Sequence, residues 1–454
     1  MTFANASADA ATLIVTDGGD SGDATTCTLR QAITSANKNA HGSSACVDGS
    51  GDDTIEFADN LVDSTITLSG LELVVKSPLS IVGSGQVIDA NHASRAMYVG
   101  FTSLSASNLT LTNGAADGNS GGGLFVLGSS VDLTHVGVVG NGADYAAGIA
   151  VFNYSQLTLN DSTILGNTAA RKGGGVEIIN GSQVVLNRST VSGNTANRGA
   201  GVFVSFFGDL TLNQSSISGN TATSAPPLSG GGIYGYRCDA LEAVDSAITG
   251  NLGNYSGGGI VAVECPLKVI NTTIAANTSS AGGGAAIYLD HSAATIANAT
   301  ISANSGDYAG GILADQSTVT LGNTILSANA VSAGHETTAD LAAYDNSTVG
   351  AAYSMLGTAL NTNDFNDAGA HNLFSDDPGL GPLQNNGGST LTMAPLDGSM
   401  VIDAGSNALA QDAGHYLVCD QRPGYLRIVG GTVDIGAFEE QGDRIFAGLF
   451  EALP

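Results

Sequence analysis

The chain has 454 residues, 41 of them acidic and 13 basic, for a net charge of −28. That balance excludes nucleic-acid binding, which is driven by Lys and Arg neutralising phosphates, and argues equally against an anionic membrane surface. No apolar run reaches the ~18 residues of a membrane-spanning helix, and 63 glycines with no tryptophan suit a turn-rich, β-branched chain.

The N-terminal residues, MTFANASADAATLIVTD, carry neither a basic n-region nor an apolar h-region. Either the protein is cytosolic or a signal peptide has been removed. Residues 1–57 read as a strand followed by a cap. Leu29, Ala32, Ile33 and Ala36 fall on one face of a short helix, which suits covering the open end of a sheet. Gly51–Phe57 then begins the first turn of the body. The segment resembles the CSLREA domain of secreted bacterial β-helix proteins, through Cys27-Thr-Leu-Arg-Gln-Ala32 and Asp53-Thr-Ile-Glu-Phe57. That resemblance implies export.

Residues 58–360 are governed by a repeat. Its clearest unit is LTLNDSTILGNTAARKGGG, from Leu157 to Gly175, and an Asn recurs at 141, 167, 194, 220, 251, 277 and 304. A period of roughly 26 residues signals a solenoid, whose units bury their apolar faces only by stacking. Each unit alternates with period 2, is rich in β-branched residues and contains no helical stretch. Three short strands and three turns fit such a unit, which predicts an all-β, right-handed, single-stranded parallel β-helix of about 11–12 coils. The recurrent Asn is expected in a left-handed bend, with its amides stacked in a ladder. Ile164, Val191, Ile248 and Ile274 should stack inside. The Gly triplets, such as Gly173–Gly175, allow positive φ and close backbone approach.

Five cysteines punctuate the chain. Cys238 and Cys265 each lie eight residues after the first Gly of a triplet, so they occupy one point on successive coils, within disulfide reach. Cys27 and Cys46 flank the helix and are a second expected pair. Two disulfides favour an oxidising compartment, hence the secreted reading. Cys419 is left over.

Residues 361–440 form an irregular module. Asn386-Gly-Gly-Ser-Thr390, Gly398-Ser399, Ile402-Asp-Ala-Gly405, Asp420-Gln-Arg422 and Asp434-Ile-Gly-Ala-Phe-Glu439 together resemble the choice-of-anchor Q domain. That family implies a secreted or surface-displayed β-helix. Pro423 stands where Gly is usual, and Val433 where a second Cys is often found. Asp403, Asp420, Arg422 and Asp434 read as ion pairs and turn caps that brace the module, not as a catalytic cluster. Residues 441–454 are a tail.

One column suggests binding. Tyr145, Arg171, Arg198, Tyr255 and Tyr308 each stand four residues after the recurrent Asn, and Lys172 adjoins Arg171. Aromatic faces beside guanidinium donors suit sugar rings and uronate carboxylates. The insertion Ala222–Ser229, with Pro226-Pro227, would bulge from the same turn. The leading expectation is a secreted or cell-surface protein with a non-catalytic structural or glycan-binding, adhesive role. The partner is a polysaccharide or cell-surface glycan. The rival is a polysaccharide lyase acting on acidic glycans, with Arg171, Lys172 or Arg198 as base. No paired carboxylates, Gly-x-Ser-x-Gly elbow or His metal spacing supports other hydrolytic chemistry. No cofactor is expected, and so acidic a chain is compatible with a Ca²⁺ site, without assignable ligands.

Overall fold

A computed structural model describes residues 10–39, 45–223, 228–331, 339–358, 360–361, 365–366 and 371–442. The insertion Ala222–Ser229 lies partly outside these residues, and the tail almost wholly. The fold is a right-handed parallel β-helix of about 11 coils. By its contacts the chain divides into two compact units: residues 1–210 with 219–224 and 237–239, and residues 211–218 with 225–236 and 240–454.

From Leu124 onward the regular coils carry four short strands where the sequence pattern suggested three, whereas the coil from Met97 carries three, Met97–Gly100, Ser103–Thr112 and Ala115–Ser120. In the first unit one coil runs Val176–Ile179, Gln183–Asn187, Thr190–Ser192 and Thr195–Ala196. In the second unit the equivalent coil runs Ile287–Asp290, Ala293–Ala297, Thr300–Ser302 and Ser305–Gly306. The extra break comes from one left-handed residue inside the LTLNxSTI segment, such as Asp161 (φ 49°) or Arg188 (φ 48°). It turns the chain between the LTL and STIL runs.

Successive coils pair in parallel and in register. Leu157 faces Val184, Leu159 faces Leu186, and Ile164 faces Val191. Ile248 faces Ile274, which faces Ile301. Ile164, Val191, Ile248 and Ile274 are all fully buried, as the repeat predicts.

The corners follow one rule: a left-handed residue, then a buried polar side chain that bonds the neighbouring coil. At the Asn corner the left-handed residue is not the Asn but its predecessor, Gly166 (φ 64°), Gly193 (φ 61°) or Ala276 (φ 56°). The bend turns the Asn inward and buries it completely. Asn141 donates both its main-chain N–H and its Nδ2 to Asn167 Oδ1, each at 2.9 Å. Asn167 donates in the same way to Asn194, and Asn194 to Asn220. In the second unit the ladder passes from Asn251 through Asn277 and Asn304 to Asn329. It ends on Asp340, whose Oδ1 accepts both donors of Asn329 at 3.1 and 2.9 Å. Burial raises that carboxyl to about 6.

Hydroxyls repeat the device at the other corners. Ser162 N–H donates to Ser189 Oγ, Ser155 N–H to Ser182 Oγ, and Ser292 N–H to Ser317 Oγ. The Gly triplets sit where backbones meet. A Cβ on Gly174 would fall 2.4 Å from the Ala200 carbonyl oxygen.

The helix Leu29–Lys38 caps the first coils. Thr28 and Gln31 form a reciprocal capping box, and Leu29, Ala32, Ile33 and Ala36 are buried. Asn37 binds the strand Leu73–Val75 through Nδ2 to the Val74 carbonyl at 2.6 Å. Thr12–Val15 precedes the helix and pairs with Asp53–Phe57, so the sheet begins before the cap and not at Gly51. Cys27 is bonded to Cys46. Cys238 and Cys265 are also disulfide-bonded, and Cys419 is free.

Coil pairing continues to Leu373–Phe374. After that, irregular chain folds back along the outer face of the second unit. Asn271 Nδ2 donates to the Cys419 carbonyl, and Thr273 Oγ1 to Gln421 Oε1. Asn323 exchanges hydrogen bonds with Ser406. Val401 and Ile435 pack on Ile325 and Met355. The bracing expected of the acidic residues is present: Asp420 grips Arg422 bidentately, and Asp434 accepts the N–H of Asp403.

Two outcomes test this account. Replacing Asn194 with Ala leaves the Asn167 N–H and one of its two Nδ2 protons without an acceptor, the other still bonding the Val138 carbonyl, and should cost about 2–4 kcal/mol in chemical denaturation. The exposed pair Asn180–Asn153 makes a similar bond, yet Asn180→Ala should cost only about 1 kcal/mol, the strain of Ala at its left-handed backbone (φ 56°). Thiol titration of the denatured, unreduced protein should find one free thiol, that of Cys419.

Candidate functional site

The expected column forms a cluster in the first unit, but with a changed register. Tyr145 faces Lys172, and Lys172 forms a parallel bridge with Arg198. Arg171 is displaced from the column. The cause is one extra residue: six steps separate Asn167 from Gly173, whereas five separate Asn194 from Gly199. The surplus is absorbed as a bulge between Ala143 and Tyr145 in the pairing.

The bulge does not disperse the group. The Arg171 guanidinium lies over the Tyr145 ring, 5.6 Å from its centroid, and the Arg171 carbonyl accepts the Arg198 N–H at 3.0 Å. The Lys172 ammonium lies over the Phe203 ring at 4.7 Å. Tyr145, Lys172 and Arg198 are half-buried and Arg171 is exposed. Tyr255 and Tyr308 belong to the second unit. Tyr255 is half-buried, with its N–H donated to Ser229 Oγ, and Tyr308 is exposed.

The cations of this cluster differ from most others in the chain. Arg30, Arg95, Arg188, Lys268 and Arg422 are ion-paired to carboxylates. Among the described residues no carboxylate lies within ion-pair distance of Arg171, Lys172 or Arg198.

Glu177 was not anticipated. It sits on the outer side of Val176–Ile179, facing Ala150 and Phe203 in register. It is 4% exposed, and its Oε2 has no hydrogen-bond partner. Burial raises the carboxyl to about 7, and the Lys172 charge offsets only part of that rise. The sequence signal was one Glu in a VEII strand whose every other residue is aliphatic. The Gly173–Gly175 turn explains its burial, because Gly173 packs directly against the Glu177 Cβ. Among the described residues the cluster therefore joins three cations without an ion pair, the Tyr145 and Phe203 rings that hold two of them, and one carboxyl raised to about 7.

Among the described residues no three His, Cys, Asp or Glu side chains come together to hold a metal ion. No helix is long and apolar enough to cross a membrane.

The Glu177 carboxyl should be visible in stability. Its pKa is raised from 4.5 to about 7 in the folded state. The folded protein therefore keeps a proton that the unfolded chain releases. The stability due to that proton is complete below about pH 4.5 and is lost as pH rises towards about 7, a change of about 3 kcal/mol. Glu177→Gln should abolish this loss, so its melting temperature should exceed the parent's at about pH 8 and match it at about pH 4.

Residues 77–246 and 147–349 match the family model for the right handed beta helix region, and together they span more than half of the chain. No curated protein matches the chain. The chain belongs to the right-handed β-helix family.

Proposed function

We propose that the protein is a secreted or cell-surface β-helix that binds acidic polysaccharide without cleaving it, on the ledge formed by Tyr145, Arg171, Lys172 and Arg198. The observation that carries this reading is that, among the described residues, no carboxylate pairs with any of these three cations in a chain of net charge −28. An isolated basic patch on an acidic protein selects anionic partners by complementarity. Nucleic acid is disfavoured because its densely spaced phosphates need more neutralising cations than these three. The half-buried Tyr145 ring holds the Arg171 guanidinium and brings apolar surface to the ledge, while the buried Phe203 ring seats the Lys172 ammonium. Two disulfides fit an oxidising compartment. The CSLREA-like cap and choice-of-anchor Q-like module fit export and surface display.

A lyase is the second reading, and the Lys172–Glu177 neighbourhood favours it. A base there would take a proton from a uronate while Arg171 or Arg198 neutralised the carboxylate. Against it, the Lys172 ammonium is engaged with Phe203 and the Glu177 Oε2 is buried.

Binding to uronate-containing polysaccharides, followed with ultraviolet absorbance for unsaturated products, separates the two readings. The binding protein should lose affinity with added salt, and Arg171→Ala and Arg198→Ala should each weaken it several-fold. Binding should strengthen below about pH 7, where Glu177 gains its proton and no longer offsets Lys172. Product formation that Lys172→Ala lowers by about a hundredfold or more would replace this reading with the lyase. Equal binding by parent and variants would remove the ledge from function.

A further inference from the structure

Three aromatic side chains stand on another edge of the first unit. Phe101, Tyr154 and Phe207 are 76%, 83% and 66% exposed, among the most exposed large apolar side chains described. They are spaced 53 residues apart, which is two coils at each step. All three occupy the corner after the strand that carries Glu177 or its equivalents. Their φ angles are 57°, 59° and 65°, a left-handed conformation that aromatic residues rarely adopt. In the intervening coils the same corner carries Gly128 and Gly181. The rings use the space those glycines leave. A Cβ on Gly128 would fall 2.8 Å from the Phe101 ring, and one on Gly181 would fall 2.6 Å from the Tyr154 ring.

The rings are mounted on rigid backbone. The N–H of Phe101, Tyr154 and Phe207 each donates to a carbonyl of the next coil, that of Leu127, Asn180 or Arg237, at 2.8–2.9 Å. Strained backbone that presents an apolar ring to water opposes stability twice over, and strain of this kind gathers at functional positions. An amide pair, Asn180 to Asn153 at 3.0 Å, and Gln183 bonded to Asp209 at 3.0 Å flank the line with hydrogen-bonding groups.

We propose that this edge binds an extended, uncharged 1,4-β-linked polysaccharide, a glucan or an N-acetylglucosamine polymer. Coils rise by about 4.8 Å, so rings two coils apart are about 10 Å apart. That is the advance of one disaccharide along such a chain, so every second sugar meets a ring with the same face. The flat C–H face of a β-linked pyranose stacks on an aromatic ring, and the flanking amides serve its hydroxyls. An α-linked chain coils and cannot keep this register. The edge is separate from the cationic ledge and does not depend on it.

The test is retention of the intact protein on insoluble cellulose and chitin in molar salt, with insoluble starch as control. Retention on at least one β-linked polymer and none on starch is expected. Tyr154→Ala should weaken it about tenfold, the scale of one lost stacking contact, while Tyr154→Phe should not. A soluble hexasaccharide should bind far more tightly than the disaccharide, because its three disaccharide repeats span all three rings. The double variant Arg171→Ala, Arg198→Ala should be retained like the parent, so failure of the ledge leaves this result intact. Unchanged melting of the Tyr154 variants would verify their folding. Absence of retention on both β-linked polymers, or equal retention of Tyr154→Ala, would overturn the proposal. So would a dimer in sedimentation that Tyr154→Ala dissociates, since the edge would then join two copies of the chain.

Discussion

A polar side chain buried inside a sheet column must find a partner in the coil beside it, and this requirement organises the fold. The thin core of a β-helix holds few residues per coil, and each corner brings main-chain N–H groups inward that water cannot reach. An Asn amide answers both needs. Its oxygen accepts two donors from one neighbouring coil, and its nitrogen donates to the other side. Since the satisfying atom always comes from an adjacent coil, a single unit cannot be stable alone. The same bonds fix the register: a slip by one residue would leave every Asn in the column unpaired.

Much of this was legible because periodicity is a property of sequence. The spacing of Asn141, Asn167 and Asn194 declares the coil length, and the alternation in LTLN and STIL declares which side chains turn inward. The helix was equally plain, since Leu29, Ala32, Ile33 and Ala36 repeat at helical spacing. Conformation at single residues was less legible. Asn favours left-handed backbone in general, yet here the preceding Gly takes that role and the Asn is needed inside. Asp161 and Arg188 look like ordinary polar residues, although each takes the positive φ that turns the chain between two strands.

The candidate site shows the same division. Tyr145, Arg171, Lys172 and Arg198 could be grouped from spacing alone. Which of Arg171 and Lys172 occupies the column could not, because a one-residue surplus can be absorbed anywhere between two fixed points. The structure absorbs it before Lys172. Glu177 was overlooked because burial on the outer side of a strand depends on how the Gly173 turn folds over it. The aromatic edge hid for a different reason. Phe101, Tyr154 and Phe207 repeat at twice the coil period, and comparing neighbouring coils finds glycine opposite each ring.

Asp340 gives the Asn ladder a direction. Every rung hands two protons towards the C-terminal side, so the last position must accept and has no call to donate. A carboxyl does this where an amide would point a surplus N–H at nothing. The interior rungs are interchangeable, whereas this terminus is chemically distinct. A whole coil can therefore be duplicated or deleted between fixed ends without any rung losing its partner. Length then becomes a heritable variable independent of folding chemistry. Lineages could extend or shorten the molecule in quanta of one coil.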